Sequence, residues 1–224
     1  MSVDKNESPW FLAVEGKDER NFFEAMLRQL DIQGVQLVDI GGKDQFKTKF
    51  STLYNLDGFQ EVRSLGLIRD AEDKAADAAF SSICSILKKY HLPMPDAPNT
   101  VIGGKNQQGK DIRIGIFIMP NNADQGMLED LCLKSVREER VFSCVEQYMD
   151  CCLSALPEDE RPRNHAKAKV QTYLAARKEI VNSLGVGAQA GHWEFDHGCF
   201  NDIKRFLRTL FNVSEKQSFR NFAS

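Results

Sequence analysis

The chain has 224 residues, 42% of them hydrophobic and 27% charged, which suits a folded protein with a proper core and argues against disorder. A formal net charge of −3 excludes a general nucleic-acid coating protein, which would be strongly basic, but leaves a nuclease open. The apolar runs are far too short to span a bilayer, and the opening MSVDKNESPW is too polar for a secretory signal, so a cytoplasmic protein with no membrane association is expected.

In chain order, WFLAVEG (Trp10 to Gly16) reads as a first strand carrying both Trp10 and Glu15, and KDERNFFEAMLRQL as an amphipathic helix with Phe22, Phe23, Met26, Leu27 and Leu30 on its apolar stripe. VQLVDIGG (Val35 to Gly42) is a second strand closing in a double glycine, followed by the short helix DQFKTKFSTLYNL. SLGLIRDAED (Ser64 to Asp73) is a buried strand that stops abruptly in acids, and Asp73 to Tyr90 is its following helix. TVIGG and RIGIFIMPNN are two further strands joined by the polar turn KNQQGKD, after which MLEDLCLKSV opens a helix with Glu129 and Asp130. Helices are expected over Val141 to Leu156, Ala166 to Leu184 and Asn201 to Phe211.

The alternation of strands and helices predicts an α/β fold with a mainly parallel sheet flanked by helices. A composition shift near Val136 divides an α/β core (1–135) from a helical C-terminal subdomain (136–224), the two packed as one compact unit. The six cysteines (Cys84, Cys132, Cys144, Cys151, Cys152, Cys199) contain no CxxC pair, so reduced, mostly buried thiols are expected and no zinc site. His165, His192 and His197 are expected at the surface or in caps. GKNQQGK lacks the spacing and the terminal Ser or Thr of a phosphate-binding P-loop.

Carboxylates cluster where strands stop: Glu15 after the first, Asp70, Glu72 and Asp73 after the third, Glu129 after the last. In an open α/β sheet, ligands bind outside the carboxyl ends of the strands, so these acids could share Mg²⁺ or Mn²⁺, which take oxygen ligands. The alternative for Glu72, Asp73 and Glu129 is a favourable place at a helix start. Gly16, Gly41 and Gly42 permit close phosphate approach or simply make turns. Basic residues gather from Arg161 to Lys178 and again at Lys204, Arg205 and Arg208, which suits a polyanionic substrate, although such charges are also an ordinary wet helix face.

VEGKDE, IGGKDQF, LIRDAED and PNNADQGMLEDL, with the later KAKVQTYLA, resemble the Toprim domain of topoisomerases, bacterial-type primases and overcoming-lysogenization-defect (OLD) nucleases. The resemblance, which covers Trp10 to Phe211, is to a small Toprim-like family of bacterial proteins related to the OLD type. It implies a Toprim fold and metal-dependent cleavage of phosphodiester bonds in DNA or RNA. Glu15 matches the first-strand glutamate, a general acid or base or a metal ligand, and Asp70 matches the first acid of a DxD pair. Glu72 stands where the second Asp belongs, so Asp73 could take its part. Glu129 resembles the further acid of the OLD-type branch, and Lys167 or Lys169 the lysine set against the phosphate. A catalytically degenerate module that binds nucleotide, nucleic acid or a partner protein is the rival expectation. Either fits a subunit of a defence complex whose ATPase is another chain.

Overall fold

The computed structural model describes residues 8–73 and 75–213. Five strands, β1 (Trp10–Val14), β2 (Val35–Asp39), β3 (Ser64–Asp70), β4 (Thr100–Lys105) and β5 (Asp111–Met119), form one sheet in the order β2-β1-β3-β5-β4. All neighbours are parallel except β4, which returns antiparallel to β5 through the expected polar turn. The inner strands are buried on both faces, which is why β3 and β5 read as nearly continuous apolar runs with no alternation.

Helices cover both faces. Phe11, Ala13, Leu65 and Leu67 point into one core under α2 (Phe46–Tyr54) and α3 (Ala76–Lys89). Leu12, Val14, Ile68 and Phe117 point into the other, shared with α1 (Lys17–Gln29), α4 (Leu128–Ser135), α6 (His165–Ala175), α7 (Leu184–Gln189) and α8 (Asn201–Phe211), while α5 (Arg140–Ala155) adds Val145. The C-terminal helices therefore complete a core layer begun by α1.

Four expectations change. Asp73 lies outside α3, which starts at Ala76, because Glu72 adopts a left-handed φ of 59° and its backbone pairs with Gly126. The helix expected over Ala166 to Leu184 ends at Ala175, and a new one starts at Leu184. Ser183 caps that new start by accepting the Val186 N–H, and Asp18 from α1 accepts the Leu184 and Gly185 amides at 3.1 and 2.6 Å. The break is thus made by a residue far away in sequence. The cysteines are free, as expected, but only Cys132 is buried, and Cys144 and Cys151 are exposed. His192 is 9% exposed, with Nε2 2.9 Å from the Glu179 carbonyl, whereas His197 caps the Cys199 amide.

Helix α8 lies flat on the sheet because Gly66 and Gly115, paired in register on β3 and β5, present no side chains beneath it. A Cβ on Gly66 would stand 2.5 Å from Leu12 Cδ1 and 2.6 Å from Leu210 Cδ2, and one on Gly115 2.7 Å from Phe206 Cε2. Overpacking of this kind costs about 1–3 kcal/mol. Gly66→Ala should lose stability in that range in urea unfolding, whereas Gly103→Ala, whose Cβ would meet nothing within 4 Å, should stay within about 0.5 kcal/mol of wild type.

Candidate functional site

From β1 the chain leaves through α1 toward β2 on one side, and from β3 through α3 toward β4 and β5 on the other. The crevice outside the carboxyl ends of β1 and β3 is therefore the topological switch point, where an open α/β sheet leaves room for a ligand. Glu15 directly follows β1 and Asp70 ends β3.

Glu15 Oε1 accepts hydrogen bonds from Arg69 Nε and from the Asp70 N–H, both at 3.2 Å. Arg69 is 3% exposed, lies with its guanidinium carbon 5.0 Å from the centre of the Phe46 ring, and keeps a buried Nη1 with no hydrogen-bond partner among the described residues. Asp70 Oδ1 in turn accepts the Leu128 N–H at 3.1 Å, satisfying one of the free amides of the first turn of α4. That bond brings α4 over the end of β3 and with it Glu129, which is 7% exposed. Asn164, the cap of α6, accepts the Lys167 amide and donates to Met127 Sδ, so the start of α6 is held against the start of α4. Lys167 Nζ then stands 3.7 Å from Glu129 Oε1.

Burial raises the Glu15 carboxyl above its usual range, with Arg69 pulling the other way. Asp70 is pushed well above its usual range, first by lost hydration and then by the charges of Glu15, Glu129 and Glu19. Burial raises Glu129 as well, opposed by Lys167 and reinforced by Glu19. Glu19 is raised by burial and by Asp18, against the pull of Lys167. Glu15, Glu19, Asp70 and Glu129 thus form one electrostatically crowded set, with Lys167 as its counter-charge.

Other candidates lie around this set or apart from it. Gly42 flanks Glu15, since a Cβ there would be 3.4 Å from Oε2, and Gly16 flanks Glu19 at 3.0 Å. Gly41 has φ +66°, and its amide is held by Asp39 Oδ1 at 2.7 Å. Glu72 and Asp73 line a cavity of about 230 Å³ together with Asp70, Arg69, Lys43 and Ser82, so this cavity adjoins the site through Asp70 and Arg69. Lys169 faces Glu146 on α5 at 2.5 Å. Sequence reasoning passed over Glu19 and Arg69. Glu19 was hidden among the acids of a helix first turn, but Arg69, the one charge within an otherwise apolar strand before Asp70, was a readable signal.

Among the described residues no three His, Cys, Asp or Glu side chains converge as a ready-made metal cage. An all-carboxylate set still suits Mg²⁺ or Mn²⁺, because such hard ions are commonly held by one or two carboxylates, with water and substrate phosphate filling the shell.

Crowding has a pH signature. The folded state holds the Asp70 proton above pH 3.8, where the unfolded chain releases it, so this contribution is complete below that pH and is lost as pH rises through the raised folded value. In chelator, Asp70→Asn should therefore be more stable than wild type at pH 7, with the difference closing as the pH falls below the ordinary Asp range. Thermal unfolding across pH checks this, and an Asn variant less stable at pH 7 would contradict it.

Comparison with solved structures finds the C-terminal region of the Xanthomonas campestris pv. campestris OLD protein at 12% identity and a TM-score of 0.47, covering 92% of this chain and 98% of that one. The C-terminal region of the Burkholderia pseudomallei OLD protein matches at 16% identity with the same TM-score of 0.47, covering 91% and 98%. No curated protein matches the chain. The family model described as "Protein of unknown function (DUF3226)" matches residues 9–212, nearly the whole described chain, and the protein belongs to that family.

Proposed function

We propose that the chain is a divalent-cation-dependent phosphodiesterase acting on nucleic acid, of the Toprim type that its motifs resemble. The observation that carries this reading is the crowding of Glu15, Asp70 and Glu129 at the switch point with Lys167 beside them. Surplus buried negative charge is costly in an isolated protein and is relieved by a cation. Asp70 and Glu129 would hold the ion, which when bound would activate water and stabilise the leaving oxygen.

The side chains divide the remaining work. Arg69 and the Asp70 amide fix Oε1 of Glu15, and Oε2 lies beside the bare backbone of Gly42, where a phosphate has room to approach. A carboxyl raised toward neutrality suits Glu15 to accept or return a proton. Lys167 is 62% exposed at its side chain, free enough to leave Glu129 and neutralise charge growing on the phosphoryl oxygens. Lys169, committed to Glu146, has no part in this reading.

A second reading, a catalytically silent module that binds nucleic acid or a partner, is favoured by two observations: Arg69 already engages Glu15, and no three ligands converge among the described residues.

Plasmid, single-stranded DNA and RNA incubated with Mg²⁺ or Mn²⁺ separate the two. The enzyme reading expects cleavage that EDTA abolishes, that Glu15→Gln and Asp70→Asn each reduce about 10²-fold or more, and that Lys167→Ala reduces roughly tenfold or more. Lys169→Ala should stay within about twofold of wild type. Wild-type protein that binds Mn²⁺ yet cleaves none of these substrates would leave the binding module in its place.

A further inference from the structure

The opposite edge of the sheet carries a feature that the acidic crevice does not use. Where β3 and β5 begin, beside β4 and the end of α8, two adjoining hollows of about 620 and 660 Å³ share Gly103, Arg113 and Asn212. Arg113, Arg205 and Arg208 line the first; Arg63, Lys105 and Trp10 line the second. Among the described residues the one acid on either lining is Asp111, and its carboxylate is tied to Lys105 at 2.7 Å, which holds it below its usual range. Arg205 leans on the exposed Asp202 at 2.9 Å, a pair too wet to cancel its field. Among the described residues this is a local excess of positive charge, in a chain whose formal net charge is −3.

Trp10 supplies the second element. Its indole is half-buried, backed by Phe211 at 5.6 Å between ring centres, and borders the second hollow. Gly103 and Gly104 line the hollow beside it, and a Cβ at Gly103 would meet no atom within 4 Å. Four of the five lining cations are arginines, whose planar forks match phosphate oxygens. A cationic groove beside an aromatic face is the arrangement that grips single strands, with the backbone on the charges and a base on the ring.

We infer that these two hollows form a binding site for single-stranded nucleic acid, with phosphates on Arg63, Arg113, Arg205 and Arg208 and a base stacked on Trp10. The inference deepens the proposed function by naming where its substrate class is held, and it rests on that reading for the choice of nucleic acid. Trp10 opens β1 and Glu15 follows its end, so the two sites lie roughly 17 Å apart along the strand.

The test is a titration of the full chain in EDTA, where cleavage plays no part, read by anisotropy of labelled oligo-dT and by tryptophan emission. Trp193 is 3% exposed, so a change in emission reports Trp10. Oligo-dT should quench that emission and bind more tightly than inorganic polyphosphate of equal charge. Arg113→Gln with Arg205→Gln should weaken binding about tenfold or more and reduce the slope of log K against log salt by about 0.7 for each phosphate left without its arginine. Gly103→Glu, which starts from a position open to a Cβ and sets a carboxylate in the cationic hollow, should weaken binding at least about tenfold with a melting temperature close to that of wild type. Trp10→Leu should weaken it roughly tenfold, and Trp10→Tyr should restore most of the loss.

The inference is overturned if Gly103→Glu and the double arginine variant bind as wild type does. It is equally overturned if polyphosphate or poly-glutamate competes as well as oligo-dT while Trp10 emission stays still, which would assign the groove to charge alone or to an acidic protein. A chain that binds oligo-dT here and never cleaves would defeat the enzyme reading alone.

Discussion

The constraint on which the rest depends is the lock at the ends of β1 and β3, where Glu15 is gripped by Arg69 and by the backbone of Asp70, while Asp70 grips the first turn of α4. Each bond alone is ordinary. Together they force acids from three separate stretches of the chain into one partly dehydrated space. Arg69 is what makes this tolerable, since a buried carboxylate without a counter-charge would be strongly destabilising. Arg69 is itself nearly enclosed, held over the Phe46 ring, so its position is fixed by the opposite core layer.

That arrangement ties the two faces of the sheet to one site. Through Phe46 and Arg69 the α2–α3 layer sets Glu15; through Leu128 the other layer sets Glu129; through Asn164 and Met127 the C-terminal helices set Lys167. Asp18, immediately before the half-buried acid Glu19, caps α7 and fastens the same layer to the start of α1. Several carboxylates here therefore act as helix caps, and a substitution in the site acts on the packing of the helices around it.

The fold class was legible because buried parallel strands and amphipathic helices differ sharply in hydrophobic spacing, and β3 and β5 are apolar over most of their length. The end of α6 was not legible, because Ala175 is followed by residues that suit a helix and the break is made by Ser183 and by Asp18 from another part of the chain. Within the site, Glu15 and Asp70 could be read from their places at strand ends, and Glu129 from its place in the helix start that follows the last strand. Glu72 and Asp73 could not be ranked against them on sequence, since the left-handed turn at Glu72, which keeps that pair out of α3 and on the lining of a cavity shared with Asp70 and Arg69, leaves no pattern in the residues. The two lysines were indistinguishable for a similar reason: positions 167 and 169 differ by about 200° around a helix, and only the neighbours decide which meets Glu129. Trp10 was rightly placed on the strand of Glu15, but at the opposite end, where it looks onto arginines.

The chemistry thus separates into two edges of one sheet, acids where the parallel strands end and arginines where they begin. The central claim is that the acidic edge is built to accept a cation. Anomalous diffraction from crystals equilibrated with Mn²⁺ tests it most directly. The account predicts a manganese peak coordinated by Asp70 with Glu15 or Glu129; a peak only at Glu72 and Asp73, or no peak at the ends of β1 and β3, would contradict it.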